Sequence, residues 1–130
     1  EQAMHWNENE ITLLYDCDQL RDRKTLTYAA SMGFKVNKQD LRNGLVSASV
    51  FQMMLDNLQI HPKHLINRAD PYYQSSLKGK SDQPYFWWNA IKRMPHLLIA
   101  PIAHHKGSTV ICLSPTDVLK VRMAGNRVTT

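Results

Sequence analysis

Residues 11–41 read ITLLYDCDQLRDRKTLTYAASMGFKVNKQDL, and the fold class follows from this stretch. Ile11-Thr12-Leu13-Leu14-Tyr15 is a short, β-prone apolar run, which predicts a buried strand. Asp16-Cys17-Asp18-Gln19 is polar and turn-like. From Leu20 to Met32 the apolar residues Leu26, Ala29 and Ala30 recur at helical spacing, and Gly33 supplies the stop. Phe34 to Leu41 alternates roughly and predicts a second strand. Strand, helix and strand in this order make a βαβ unit, which favours parallel neighbouring strands.

Further along, Asn43-Gly44 is a turn signal, and Ser47 is placed to cap a helix. That helix carries Val50, Phe51, Met54, Leu55 and Leu58 on one face. Residues 61–94 hold no strand signal and predict a helical insertion. His61-Pro62 and Asp70-Pro71 each open a short helix. Ser81 or Asp82 caps a third, with Pro84 in its first turn and Phe86, Trp87, Ala90 and Ile91 facing inward. The apolar run Leu97–Ala103 contains Pro101 and meets Thr109–Leu113 across the turn Lys106-Gly107. Ser114-Pro115-Thr116-Asp117 then opens a closing helix. The order is β-α-β-α, a helical block, then β-β-α. It predicts an α/β, thioredoxin-like architecture: a mixed four-stranded sheet flanked by helices, with the insertion at about 61–94. Residues 11–122 form one domain in this reading, between a polar lead-in over 1–10 and a tail over 123–130.

The chain has 130 residues, room for one core and little more. Its net charge is +5, from 16 Lys and Arg against 11 Asp and Glu, which favours meeting anionic partners. No basic run exceeds two residues, and aromatic residues do not interleave with Lys and Arg. An evenly basic surface is therefore expected rather than a nucleic-acid platform. No apolar run approaches the ~20 residues of a bilayer span, and no signal-peptide core is present. Cys17 and Cys112 lie far apart and form no C-x-x-C. The expected compartment is a reducing cytoplasm.

Several stretches in this order carry a family likeness. They are Ile11–Tyr15 with Arg23-Lys24-Thr25-Leu26, then Leu65-Ile66-Asn67 with Pro71-Tyr72, then Pro95-His96-Leu97-Leu98-Ile99-Ala100-Pro101-Ile102, and last Ser114-Pro115. Over residues 11 to about 121 the chain resembles the ArsC family of arsenate reductases and the related Spx regulators. The family opens its first helix with a Cys-x-x-x-Arg loop, where a thiolate is stabilised by the helix N-terminus and a guanidinium. The resemblance places Arg23 at the motif arginine and Gln19 at the cysteine. It places Tyr15 at a family histidine. The clamping arginines fall on Asn67, with Arg68 adjacent, on Ala100 and on Ser114. Each lost guanidinium removes a charge-assisted contact of roughly 1.5–3 kcal/mol. Pro101 matches the family's cis-proline. The resemblance thus implies an ArsC-like domain that has lost nucleophile and clamp together.

The expected binding positions, for a small anion or a protein partner, are Gln19, Arg23, Arg68, Ala100 and Pro101. Spx-type members act through protein contacts, but their first-loop C-x-x-C is absent here. The competing expectation is a thiol-dependent oxidoreductase using Cys17, two residues before the motif position, with glutathione as co-substrate. Asp16 and Asp18 flank Cys17 and raise a thiol's pKa, which opposes it. No other cofactor is implied. Cys112 reads as core filler. His61 and His64 are spaced for one face but have no third ligand near them, and His104 and His105 point to opposite faces of a strand, so no metal site is expected. Tyr72, Tyr73, Tyr85, Phe86, Trp87 and Trp88 predict an aromatic core inside the insertion; the competing expectation leaves Trp88 partly exposed, as a partner surface or a cover over the site. Arg21, Arg23 and Lys24 place positive charge at the start of the first helix, against its dipole.

Overall fold

The apolar run after residue 9 forms the central strand β1 (Glu10–Tyr15). Helix α1 (Leu20–Ser31) returns along the sheet to β2 (Lys35–Asp40), which pairs with β1 in parallel from Glu10↔Lys35 to Tyr15↔Asp40. The computed structural model describes residues 10–43 and 46–121. Residues 1–9 of the expected lead-in, the expected tail over 123–130 and Gly44 of the Asn43-Gly44 turn lie outside the described residues.

Helix α2 (Ala48–Leu58) follows, then 3-10 turn Pro62–Leu65, π-turn Tyr73–Leu77 and helix α3 (Pro84–Arg93). Strands β3 (Ile102–His105) and β4 (Ser108–Ile111) form a hairpin, and 3-10 turn Pro115–Val118 ends the described fold with residues 119–121. The sheet order is β2-β1-β3-β4, with β3 antiparallel to both of its neighbours. This is the mixed four-stranded arrangement expected from the element order.

Both faces of the sheet are covered, so β1 is apolar almost throughout rather than alternating with polar residues. Ile11, Leu13 and Tyr15 pack with Ala29, Cys112, Val118 and Val121 on the α1 side. Leu14 and Ile102 pack with Phe51, Met54, Leu55, Trp87, Trp88 and Ile91 on the other. The insertion does not keep a core of its own. Its aromatics complete the core between sheet and α2.

Three local expectations are corrected. Trp88 is buried at 4% relative exposure, which rules out the competing expectation of a partly exposed ring. Helix α3 is enclosed by α2 and the turns of the insertion, so its buried positions 87, 88, 90 and 91 span an arc of about 160° at 100° per residue. The α1 residues facing inward are Asp22, Thr25 and Ala29, while Leu26 is half-buried and Ala30 exposed. Two polar side chains sit inward there because each has a partner: Asp22 accepts the Asp16 amide of the preceding loop, and the Thr25 hydroxyl donates to the Arg21 carbonyl one turn earlier. The N-cap of α3 is Gln83 rather than Ser81 or Asp82. The Ser81 hydroxyl instead accepts the Gln83 amide at 2.9 Å, and its carbonyl accepts the Trp87 indole N–H at 2.9 Å.

Local chemistry explains the other ends. Gly33 follows α1 with φ +88, a conformation that costs other residues a steric penalty. The Ser47 hydroxyl accepts the amides of Ser49 (3.1 Å) and Val50 (3.4 Å) and caps α2 as expected. Ser47→Ala is expected to cost about 1 kcal/mol, read as a lower urea midpoint at unchanged slope. An unchanged midpoint would show that the cap contributes nothing.

Candidate functional site

The parallel pairing of β1 and β2 brings the ends of both strands together. Asp16-Cys17-Asp18-Gln19 leaves the end of β1, and Leu41-Arg42-Asn43 leaves the end of β2 in a 3-10 turn. Gln19 is the N-cap of α1, with extended backbone and no side-chain capping bond. Its amide donates to the Asp16 carbonyl at 3.0 Å, and its carbonyl accepts the Arg23 amide at 3.0 Å.

Asp16 organises this loop from a buried position, at 1% exposure. Its carboxylate accepts Arg42 Nε at 2.7 Å and Nη2 at 3.1 Å, the Asp18 amide at 3.0 Å and Gln19 Nε2 at 3.5 Å. Arg42 Nε also lies 3.3 Å from the Asp18 carboxylate. Burial pushes the Asp16 carboxyl up, but Arg42 and the Asp18 amide outweigh it and hold the group below the ordinary carboxylate range. Asp22, in the first turn of α1, accepts the Asp16 amide at 2.9 Å and pairs with Arg21 at 3.1 Å. Burial raises its pKa above the ordinary range.

Cys17 is half-buried and is not in a disulfide. Its amide donates to Asp40 Oδ1 at 3.3 Å, and its carbonyl accepts Arg23 Nη1 at 2.9 Å. The Asp40 carboxylate beside the thiol pushes its pKa up, helped by burial and by the charges of Asp40, Asp18 and Asp16. Arg23 therefore holds the loop backbone. Cys112 is fully buried, and burial together with the Asp117 charge pushes its thiol to about 12.

The β1–β3 register pairs Leu14 with Ile102. Ala100 and Pro101, both buried, therefore precede β3 at the sheet end where Tyr15 and Asp16 leave β1. No described peptide bond is cis, so Pro101 is trans, at the position that the resemblance matched to a cis-proline. Its carbonyl accepts the Cys112 amide at 2.8 Å, which ties residue 101 to the edge strand. Segment 65–67 is stitched to segment 97–99: Ile99 donates to Leu65 O and Asn67 to Leu97 O, each at 2.7 Å. Arg68 is exposed and approaches His64 Nδ1 at 3.4 Å. Among the sequence-derived positions, Gln19, Arg23, Ala100 and Pro101 thus gather at one end of the sheet, while Arg68 contacts its own insertion.

The fold matches solved structures over most of the chain. An arsenate reductase from Vibrio cholerae superposes with a TM-score of 0.72 at 16% identity, over 88% of this chain and 99% of that one. The chain has the arsenate reductase (ArsC) fold. A putative arsenate reductase from Yersinia pestis superposes with a TM-score of 0.71 at 19% identity, over 85% and 98% of the two chains. An ArsC-related protein from Brucella melitensis gives 0.58 at 13% identity, over 86% and 93%. No family model and no curated protein matches the sequence.

Within this ArsC-like fold, the sequence reading missed Arg42, Asp40 and the inward Asp22. A usable signal existed for Arg42. A predicted βαβ unit sets the residue after β1 beside those after β2, and an acid and a base stand there. Among the described residues, no group of three or more His, Cys, Asp or Glu is placed to hold a metal ion. No described helix is long and apolar enough to cross a membrane.

Proposed function

We propose that this ArsC-like protein does not reduce arsenate and acts by binding an anionic partner or a small anion. The observation that carries this reading is Gln19 at the N-cap of α1, the position where the resemblance puts the family's thiol. A carboxamide is a poor nucleophile and has no sulfur to form and then give up a bond to arsenic, as a thiolate does. The thiol nearest the loop, Cys17, faces Asp40 and not a free guanidinium, and its raised pKa leaves less thiolate than the few per cent of an ordinary cysteine at pH 7. The net charge of +5 supports an anionic partner, and Arg23 and Lys24 are exposed at the start of α1. A cytoplasmic setting agrees with both cysteines being free.

The test is alkylation of Cys17 by iodoacetamide against pH, with Cys17→Ser as control, beside arsenate turnover with glutathione. The rate is expected to rise only above the ordinary thiol pKa of about 8.5, and turnover to equal that of Cys17→Ser. A thiolate titrating below pH 7, or turnover lost in Cys17→Ser, would replace this reading with a thiol oxidoreductase.

A further inference from the structure

The outward face of α1 lies opposite its buried Asp22, Thr25 and Ala29, and carries Leu20, Lys24, Thr27 and Ser31 at helical spacing. Together with Pro115 of the C-terminal 3-10 turn, this face forms an open groove of about 560 Å³. Leu20 is 58% exposed and is the most open of the apolar side chains that line this groove. Tyr28 and Pro115 are half-buried and line the same groove. Arg23 and Lys24 stand over it, and among the described residues no acidic side chain lines it. Lys24 makes no ion pair among the described residues.

We infer that this groove docks an acidic segment of a partner protein, with one apolar side chain seated against Leu20, Tyr28 and Pro115 and carboxylates set on Arg23 and Lys24. The inference rests on the proposed binding role and names its partner chemistry. Charge complementarity selects the occupant. A second copy of this chain would bring another +5 to a basic groove, and the two would repel. A small anion would satisfy the cations and leave Leu20 bare. A peptide combining glutamates with one Leu, Phe or Trp satisfies both, and the open shape of the groove admits a chain lying along the helix.

The experiment is an amide NMR titration of the full chain with a pool of such peptides, followed by anisotropy with a fluorescein-labelled member. The expected result is chemical-shift change confined to residues 20–31 and 116–118, with affinity falling as salt rises. Lys24→Glu is expected to weaken binding about tenfold, as a charge reversal at a docked carboxylate does. Leu20→Ser is expected to weaken it several-fold, and Lys78→Glu, exposed on the insertion, to leave it unchanged. Both test positions are exposed, so circular dichroism and the urea midpoint stay at wild-type values. Three results overturn the proposal: no shift in the groove, equal shifts with inorganic phosphate alone, or shifts that follow protein concentration without peptide, which would identify a second copy. The thiol assays read the catalytic question separately. An inert Cys17 with a silent groove removes the docking site alone, and a reactive Cys17 with a responsive groove removes only the non-catalytic reading.

Discussion

Trp88→Ala is expected to lower the free energy of unfolding by about 3–5 kcal/mol, the range for deleting a large buried aromatic. The indole is 4% exposed and stacks on Phe51 of α2, with centroids 4.2 Å apart and planes 19° from parallel. Lys92 Nζ lies 5.3 Å from the ring centroid on the same helix. Removal leaves a cavity bounded by two helices, which cannot close on it without moving one of them. The ring also carries a cost, because Trp88 Nε1 is buried without a hydrogen-bond acceptor among the described residues. Trp88→Phe removes that orphan donor and keeps most of the ring, so its cost is expected to be only about 1 kcal/mol. Tyr85→Ala supplies the contrast, since Tyr85 is 72% exposed three residues earlier on α3. Its effect is expected within about 0.5 kcal/mol. Urea midpoints at constant slope check all three, and equal losses for Trp88→Ala and Tyr85→Ala would contradict the packing.

Arg42→Ala is the second large effect. It leaves Asp16 buried with the Asp18 amide and a long Gln19 contact in place of a two-point guanidinium. Stripping one partner from a buried pair costs about 3–5 kcal/mol. The Arg42 side chain is 34% exposed, so water reaches part of the gap and the expected loss is about 2–3 kcal/mol. The pH dependence has a definite sign. Asp16 has a folded pKa below its unfolded value, so its pairing stabilises the fold in full above the unfolded pKa of about 3.9. That contribution is lost as pH falls through the lower folded value. Asp22 works the other way. Its raised pKa means that a proton is held more readily in the fold, a contribution present below the unfolded pKa and lost as pH rises through the folded one. The stability gap between wild type and Arg42→Ala is therefore expected to be constant at neutral pH and to shrink in acid. A gap that persists unchanged at pH 2 would show that Arg42 acts by packing its stem and not by its charge.

The clamp bears on function through its position. Asp16, Asp18, Asp22 and Asp40 surround the loop before α1, and Arg42, Arg21 and Arg23 each satisfy a carboxylate or carbonyl of that region. Lys24 is left over, on the outer side of the helix. Arg23 and Lys24 both line the α1 groove, Arg23 while also holding the Cys17 carbonyl of the loop.

Element order, the strand-helix-strand start, the Ser47 cap, the hairpin turn at Lys106-Gly107 and the apolar faces of β1 and α2 were all legible in the residues. Each depends on neighbours within about one helical turn or on strand alternation, and local backbone chemistry expresses them directly. The ordered likeness to ArsC proteins was legible for the same reason, since it rests on short motifs spaced along the chain. The Asp16–Arg42 pair was not, because its members are 26 residues apart and meet only once β1 and β2 lie side by side. The burial of Trp88 was not either. Helical periodicity says which residues share a face, but the number of faces covered depends on what packs around α3. The Asp40 contact at Cys17 belongs with these. Each is set by a partner from another element, and only the assembled sheet brings those partners within reach.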